Sequence, residues 1–362
     1  MKFIIKWVEP TIIQWLPAVE PTPLPAKKRG RLWLDPGRFL AVIQADLLAR
    51  WALQMTAQLR GPRVQRGPGG RPPTYRDDTI LLMAIVQTAW RLSYADIVDY
   101  VASQPELARH LGFEPAAEPG QFQTISQGQY WERRAALGLL PCLFFFLALV
   151  GQLIKLGLIT GQELIVDSSL LAAWRHADPG ATWQKYAGRS PVFGYKVHTL
   201  LCRQADLPVF VIVTPAHVHD SIIGWLLVVV AVLIFDLRVW IVYADAAYFD
   251  KRFFGWVYDW LGAHPAVDYN LRRAGKRKLA TPFFIGQWRH YVLGPRSAIE
   301  RHYAWAKRYF GLKYFQCYTF MRVTQFILLT YIVIAAVAVA AGRYQRPDLV
   351  RSRGQVLAHA RP

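Results

Sequence analysis

The chain is 362 residues long and 53% hydrophobic, and its 43 Lys and Arg against 24 Asp and Glu give a formal net charge of +19. That length allows two domains with a sizeable core, and the charge points to a polyanionic partner, either nucleic acid or an anionic membrane surface. Three widely separated cysteines, Cys142, Cys202 and Cys317, argue against a disulfide scaffold or a cysteine-based metal site and fit a reducing cytoplasm.

Residues 1–60 form an N-terminal extension. Its opening, MKFIIKWVEPTIIQWLP, is interrupted by acid and proline too early to read as a secretory signal. A proline-rich piece follows, then an amphipathic helix, PGRFLAVIQADLLARWALQMTAQL. Residues 61–73, GPRVQRGPGGRPP, read as a basic linker. TILLMAIVQTAWR then predicts one helix and LSYADIVDYVAS a second, with Ser93 as N-cap and Asp96 at the capping-box position. Two helices joined by a short turn make 61–160 a helical, candidate DNA-binding domain; an ordinary helical hairpin is the alternative. Three apolar stretches, 139–154, 222–235 and 326–341, fall short of the roughly 20 residues a spanning helix needs. They read as buried helices, and the last keeps a membrane reading open.

Beyond residue 160 the pattern changes. ELIVDSS (163–169), VFGYKVHTLLC (192–202) and LPVFVIVTPA (207–216) predict strands, the last two joined by a turn at Arg203–Asp206. A buried helix spans 220–235, a strand 238–248, a helix 253–262 and a short strand 266–272, with a further helix around Arg296–Leu312. The order describes a mixed α/β domain over 161–342, followed by a basic tail, 343–362, expected to lack fixed structure. Residues 161–250 hold 6 Lys/Arg against 8 Asp/Glu, whereas 251–313 hold 13 against 3. An acidic centre followed by a basic segment suits a surface where metal ions and phosphates meet.

Two acids close hydrophobic runs: Asp167 ends LIVD and Asp245 ends WIVYAD. A strand that delivers a carboxylate at its carboxyl end places it at a sheet rim, the usual location of α/β sites. An ionised acid beside buried strands is costly unless it is paired or binds metal. Singly, each reads more simply as a cap on the following turn. Glu300 lies on a predicted helix whose apolar stripe is Ile299, Tyr303, Ala306 and Phe310, at about 100° per residue. Arg296, Glu300 and Lys307 share the adjoining stripe, which describes either an exposed ion-pair triplet or a metal-ligating acid beside phosphate-holding cations. Two or three carboxylates can hold a pair of Mg2+ ions roughly 4 Å apart, and magnesium prefers such oxygen donors. No phosphate-binding glycine loop, nucleophile elbow or Cys/His zinc cluster competes with that reading.

With these residues in order, the sequence resembles the DDE transposases of bacterial insertion sequences, in particular the group with a Y-x2-R-x3-E-x6-K signature. Arg296, Glu300 and Lys307 spell its R-x3-E-x6-K portion, and Leu293 stands where the tyrosine would be. IVDSS around Asp167, FGYKVHTL (193–200), TPAHVHDS (214–221) and YADAAYFD (243–250) are also similar to that group, over about 160–342. RPPTYRDDTILLMAIVQTAWRLSYADIVDYV resembles its helical N-terminal domain. The resemblance implies a ribonuclease-H-like catalytic fold with two Mg2+ or Mn2+ ions held by Asp167, Asp245 and Glu300. It implies Arg296 and Lys307 on phosphates, with the terminal inverted repeats and target DNA as partners. Hydrolytic nicking followed by strand transfer, at least a homodimer on paired ends, and a cytoplasmic, nucleoid-associated location without a membrane also follow. A structure-specific nuclease on the same fold, a catalytically inactive DNA-binding relic and a basic membrane protein are the rival readings.

Lys196 and His198 alternate along one strand face, which reads either as solvated or as an approach to Asp167 and DNA phosphates. His217, His219 and Asp220 read as a helix N-terminus capped by Asp220, with metal binding as the alternative. Asp236 and Asp250 are rival acids, expected to face away and to begin the next helix respectively. Trp174, Trp183 and Trp305 are expected to pack in the core rather than to stack on bases.

Overall fold

A computed structural model describes residues 17, 23–25, 30–60, 75–118, 120–185, 190–267 and 282–359; side chains at 282–290, 292 and 293 are not described. The predicted linker 61–73 lies outside these residues. The chain forms two compact units, one of residues 157–320 with 1–15, the other of 16–156 with 321–362.

The second unit is helical. Its elements are α1 (Pro36–Val42), α2 (Ala45–Arg60), α3 (Asp77–Trp90), α4 (Tyr94–Ala102), α5 (Pro105–Leu111), α6 (Gln127–Leu137) and α7 (Leu140–Lys155). The predicted capping box is present: Ser93 Oγ accepts from Asp96 N–H, and the Asp96 carboxylate accepts from Ser93 N–H. Ser126 and Gln129 form a second at the start of α6.

The other unit is built on a six-stranded sheet of β1 (Glu163–Ala172), β2 (Thr182–Gln184), β3 (Val192–Cys202), β4 (Leu207–Pro215), β5 (Ile241–Ala244) and β6 (His264–Val267). β4 and β2 pair with one edge of β3, β3 pairs antiparallel with β1, and β1, β5 and β6 run parallel. The β3–β4 turn lies at 203–206 as predicted, with Asp206 left-handed at φ 53°. The helices are α8 (Asp220–Phe235), a short α9 (Lys251–Phe254) and α10 (Pro282–Tyr309). Ser168 bonds to Asp220 at the start of α8, while Ser169 bonds to Lys307 of α10. Consecutive strand residues point to opposite faces, so α8 covers one face of the sheet and α10 the other.

β5 is shorter than the predicted strand 238–248, because Asp245 accepts from Ala247 N–H and turns the chain into a 3-10 segment. The strand expected over 266–272 begins two residues earlier, at His264, and from 268 onward lies outside the described residues.

The last helices return to the helical unit: α11 (Phe320–Arg343) and α12 (Arg353–Val356). α11 is longer than the apolar stretch it contains. With 24 residues it is the one helix among those described that is long and apolar enough to cross a membrane by itself, and nearly all of it is buried in the protein. As far as residue 359 the tail beyond it has fixed structure, contrary to expectation. Leu349, Val350, Val356 and Leu357 are buried, and Leu357 pairs with Leu34 in a parallel bridge. Its arginines serve helix ends as well: Arg353 donates to Ala89 O near the end of α3, and Arg343 donates to Val42 O at the end of α1. Four apolar residues spaced among the charges are enough to anchor the segment.

Candidate active site

β1 and β5 are parallel neighbours with Val166 opposite Ala244, so Asp167 and Asp245 emerge side by side where β5 ends; β1 runs on to Ala172 in its pairing with β3, so Asp167 lies in mid-strand and not, as expected, at a strand end. Parallel strands are about 4.8 Å apart, which brings both carboxylates within reach of one ion. Each acid also performs the local task expected of it singly. Asp167 Oδ1 accepts from Ser168 N–H at 2.8 Å, and Asp245 caps the following 3-10 turn. Burial pushes the Asp167 carboxyl up to about 7; Asp245 and Asp220 push the same way, against the Arg296 guanidinium and the Ser168 N–H.

The α10 stripe is as predicted, with Ile299, Tyr303, Ala306 and Phe310 all buried. Tyr303 OH donates to Asp167 O at 2.9 Å and Val197 O at 3.0 Å, fixing α10 over the β1–β3 pair. Tyr303→Phe leaves both carbonyls without that donor and is expected to lower stability by about 1–2 kcal/mol in a urea melt. No change would mean that α10 is held by its apolar stripe alone.

Arg296 reaches from α10 to both acids: its Nη2 lies 3.8 Å from Asp167 Oδ2 and 3.5 Å from Glu300 Oε1. Glu300 itself is 66% exposed at the side chain, so a guanidinium stands between it and Asp167. Among the described residues no three His, Cys, Asp or Glu side chains converge closely enough to hold an ion. Asp167 and Asp245 therefore suit a hard divalent cation as a pair, with Glu300 one arginine away. Lys307 Nζ donates to Ser169 Oγ at 2.7 Å on the face that Asp167 shares, and burial lowers its pKa.

Lys196 and His198 are not on a solvated face. They are 2% and 0% exposed, beneath α8. The Lys196 Nζ pairs with Asp220 at 3.1 Å and donates to Val218 O, while His198 Nε2 is hydrogen bonded to Thr214 Oγ1. Burial lowers the His198 pKa to about 4, against the pull of Asp220 and with that of Lys196. The register puts both opposite Leu170 and Ser168, on the face away from Asp167. Alternation fixed their common face but not which helix covers it.

Asp220 does not cap α8 as expected; His219 does, accepting from Ser221 N–H, and Asp220 turns inward to Ser168 Oγ at 2.7 Å. This buried acid was legible only as an Asp opening an all-apolar helix. Nor do the histidines beside it converge on a metal: His217 bonds to Thr182. Asp236 is the exposed left-handed end of α8, and Asp250 caps α9 through Arg252 N–H. Sequence reasoning also missed Tyr248. It is fully buried against Gly224 of α8, its hydroxyl has no hydrogen-bond partner, and burial and three nearby carboxylates raise its pKa.

No curated protein matches the chain. A cryo-EM structure of a piggyBac transposase synaptic complex with hairpin DNA is similar over 90% of this chain and 82% of that one. The identity is 10% and the TM-score 0.40, too low to carry any part of the argument. The sequence itself is more informative, since residues 160–336 match the family model described as a transposase DDE domain. That span contains Asp167, Asp245, Arg296, Glu300 and Lys307, and over it the chain is similar to the DDE transposases.

Proposed function

We propose that this protein binds the ends of an insertion element, cuts the DNA there with divalent metal and joins the freed end to a target. The observation that carries the reading is the pair Asp167 and Asp245, side by side on the neighbouring parallel strands β1 and β5 where β5 ends, with Arg296 and Glu300 brought to them by α10. The sheet supports a ribonuclease-H-like fold, since three antiparallel strands, β4, β3 and β1, continue into the parallel β5 and β6.

Asp167, Asp245 and Glu300 would hold Mg2+ or Mn2+, two ions per site, and such ions activate an attacking water or hydroxyl and stabilise the leaving oxygen. Arg296 holds the acids in register and offers its guanidinium to the phosphate beside the cut. Lys307 serves the next phosphate from the same face. Lys196 and His198, which the resemblance did not assign and the sequence offered as phosphate contacts, are too buried for that task. Their proposed role is to hold Asp220 and Ser168 behind β1. The helical unit is the proposed site of end recognition, and the working form is at least a homodimer on paired ends in the cytoplasm. Burial of α11 within its own unit supports a protein that is not in the membrane.

The test is cleavage of DNA carrying the flanking terminal repeats, in Mg2+, by wild type and Glu300→Gln. The variant is expected to lose activity by on the order of 10³-fold or more. Equal cleavage by both proteins would sink the assignment, and cleavage without joining of a pre-cut end to plasmid would favour a nuclease.

A further inference from the structure

Tryptophans are highly buried on average, yet Trp174 and Trp183 are 51% and 58% exposed, against the expectation that both pack in the core. They lie between β1 and β3, where the His176 ring stacks on Trp183 and Phe193 at 6.2 and 6.0 Å, with interplanar angles of 24° and 26°. A second set of open rings follows α10. Tyr309, Tyr314 and Tyr318 are all exposed, and each has a cation over its face: Arg308 at 5.4 Å, Lys313 at 4.9 Å and Arg175 at 4.9 Å.

The two sets form one surface. Arg175 belongs to the first segment and Tyr318 to the second. Thr319 N–H donates to the buried Asp178 at 3.2 Å, and Gly180 lies so close to Phe320 that a Cβ there would meet its backbone N at 2.9 Å. The surface thus continues both elements of the site: β1, which carries Asp167, and α10, which carries Glu300.

Its chemistry selects a partner. Residues 296–320 contain five Lys or Arg and one acid, Glu300, which calls for a polyanion. The cations hold phosphates of either form, but the rings find no free base face in a duplex, so rings interleaved with cations favour a single strand, with bases on rings and phosphates on cations. Trp174 lies seven residues beyond Asp167, about 23 Å along a strand. Tyr309 lies nine beyond Glu300, about 14 Å along a helix. Both distances exceed one nucleotide step, which places the surface several nucleotides from the carboxylates.

We propose that this surface is a stacking platform for unpaired bases of the DNA strand leaving the carboxylates, several nucleotides from the cut. The proposal rests on the reading of the chain as a DNA-cutting enzyme. The test is fluorescence anisotropy of the full chain, without divalent ions, with a labelled single strand of about 16 nucleotides and its duplex at one salt concentration. Trp174→Ala and Trp183→Ala are each expected to weaken single-strand binding about tenfold while leaving the duplex within about twofold. Trp183→Phe keeps a ring and is expected to retain most of the affinity. Trp240→Ala removes an equally open tryptophan just before the amino end of β5, at the opposite rim, and is expected to change neither. Unchanged single-strand affinity in both Trp174→Ala and Trp183→Ala would overturn the proposal, as would an equal loss for both DNAs or the same loss in the Trp240 control. Wild type that binds duplex alone would overturn this proposal only; wild type that binds neither DNA would overturn the DNA reading with it.

Discussion

Asp167→Asn is expected to abolish metal-dependent cleavage and, at the same time, to make the metal-free protein more stable. The carboxyl titrates near 7 in the folded chain, mainly because it is buried, against about 3.9 in an unfolded one. The unfolded state therefore releases this proton first. Ionisation costs the fold nothing below pH 4, the cost grows between pH 4 and 7, and it is constant above. Three pH units amount to about 4 kcal/mol. The amide keeps an oxygen to accept from Ser168 N–H and carries no charge. In EDTA the variant should exceed wild type by on the order of 2–4 kcal/mol at pH 8 and match it at pH 4, as read from urea melts. Adding Mg2+ should raise the wild type and leave the variant unmoved. A variant less stable than wild type at pH 8 would show that Arg296 already neutralises Asp167 in full.

Gly194→Ala is expected to prevent the α/β unit from folding. Gly194 pairs with Ala172 of β1 on one side and with Thr182 of β2 on the other. A Cβ there would run into Leu171 O and lie 2.9 Å from Ala173 N and 3.0 Å from Ala172 Cα. All three are backbone atoms at the end of the strand that carries Asp167, so no rotamer change relieves the clash. The cost exceeds the roughly 4–5 kcal/mol that marks exceptional substitutions. Loss of soluble protein, or loss of the sheet signal in circular dichroism, is the expected result. Gly294→Ala, in α10 with open space around its Cβ position, should be tolerated or slightly stabilising. Normal folding of both variants would mean that β1 and β3 lie farther apart here.

Much of the fold was legible because runs of one period are long in this chain. β3 and α8 have the bounds their apolar patterns set, 192–202 and 220–235. Asp167 and Asp245 stood out because an acid that closes an apolar run has few inexpensive explanations, although β1 continues past Asp167 to Ala172. What stayed hidden depends on tertiary neighbours. Lys196 and His198 alternate as a wet strand face would, and only the arrival of Asp220 over them makes the face dry. Glu300 could be placed on the correct helical stripe, but the position of the Arg296 guanidinium between it and Asp167 is set by side-chain reach, which spacing does not encode. The open tryptophans were misread because composition favours burying them. The tail was misread because its four anchoring residues are outnumbered by charges.

The division of the chain bears on how it is made. The unit with the sheet is nearly continuous in sequence, and its six described strands have been synthesised by residue 267. The helical unit draws on residues 16–156 and again on 321–362, so α1 to α7 wait for α11 while more than 160 intervening residues are added. Contacts that far apart in sequence form slowly. During that interval the apolar faces that α11 will cover stand open, and α11 itself emerges late, as the most hydrophobic long helix among those described. Ribosome-bound intermediates of this protein are thus natural clients for a holdase chaperone, and truncation before residue 320 would leave that exposed state permanent.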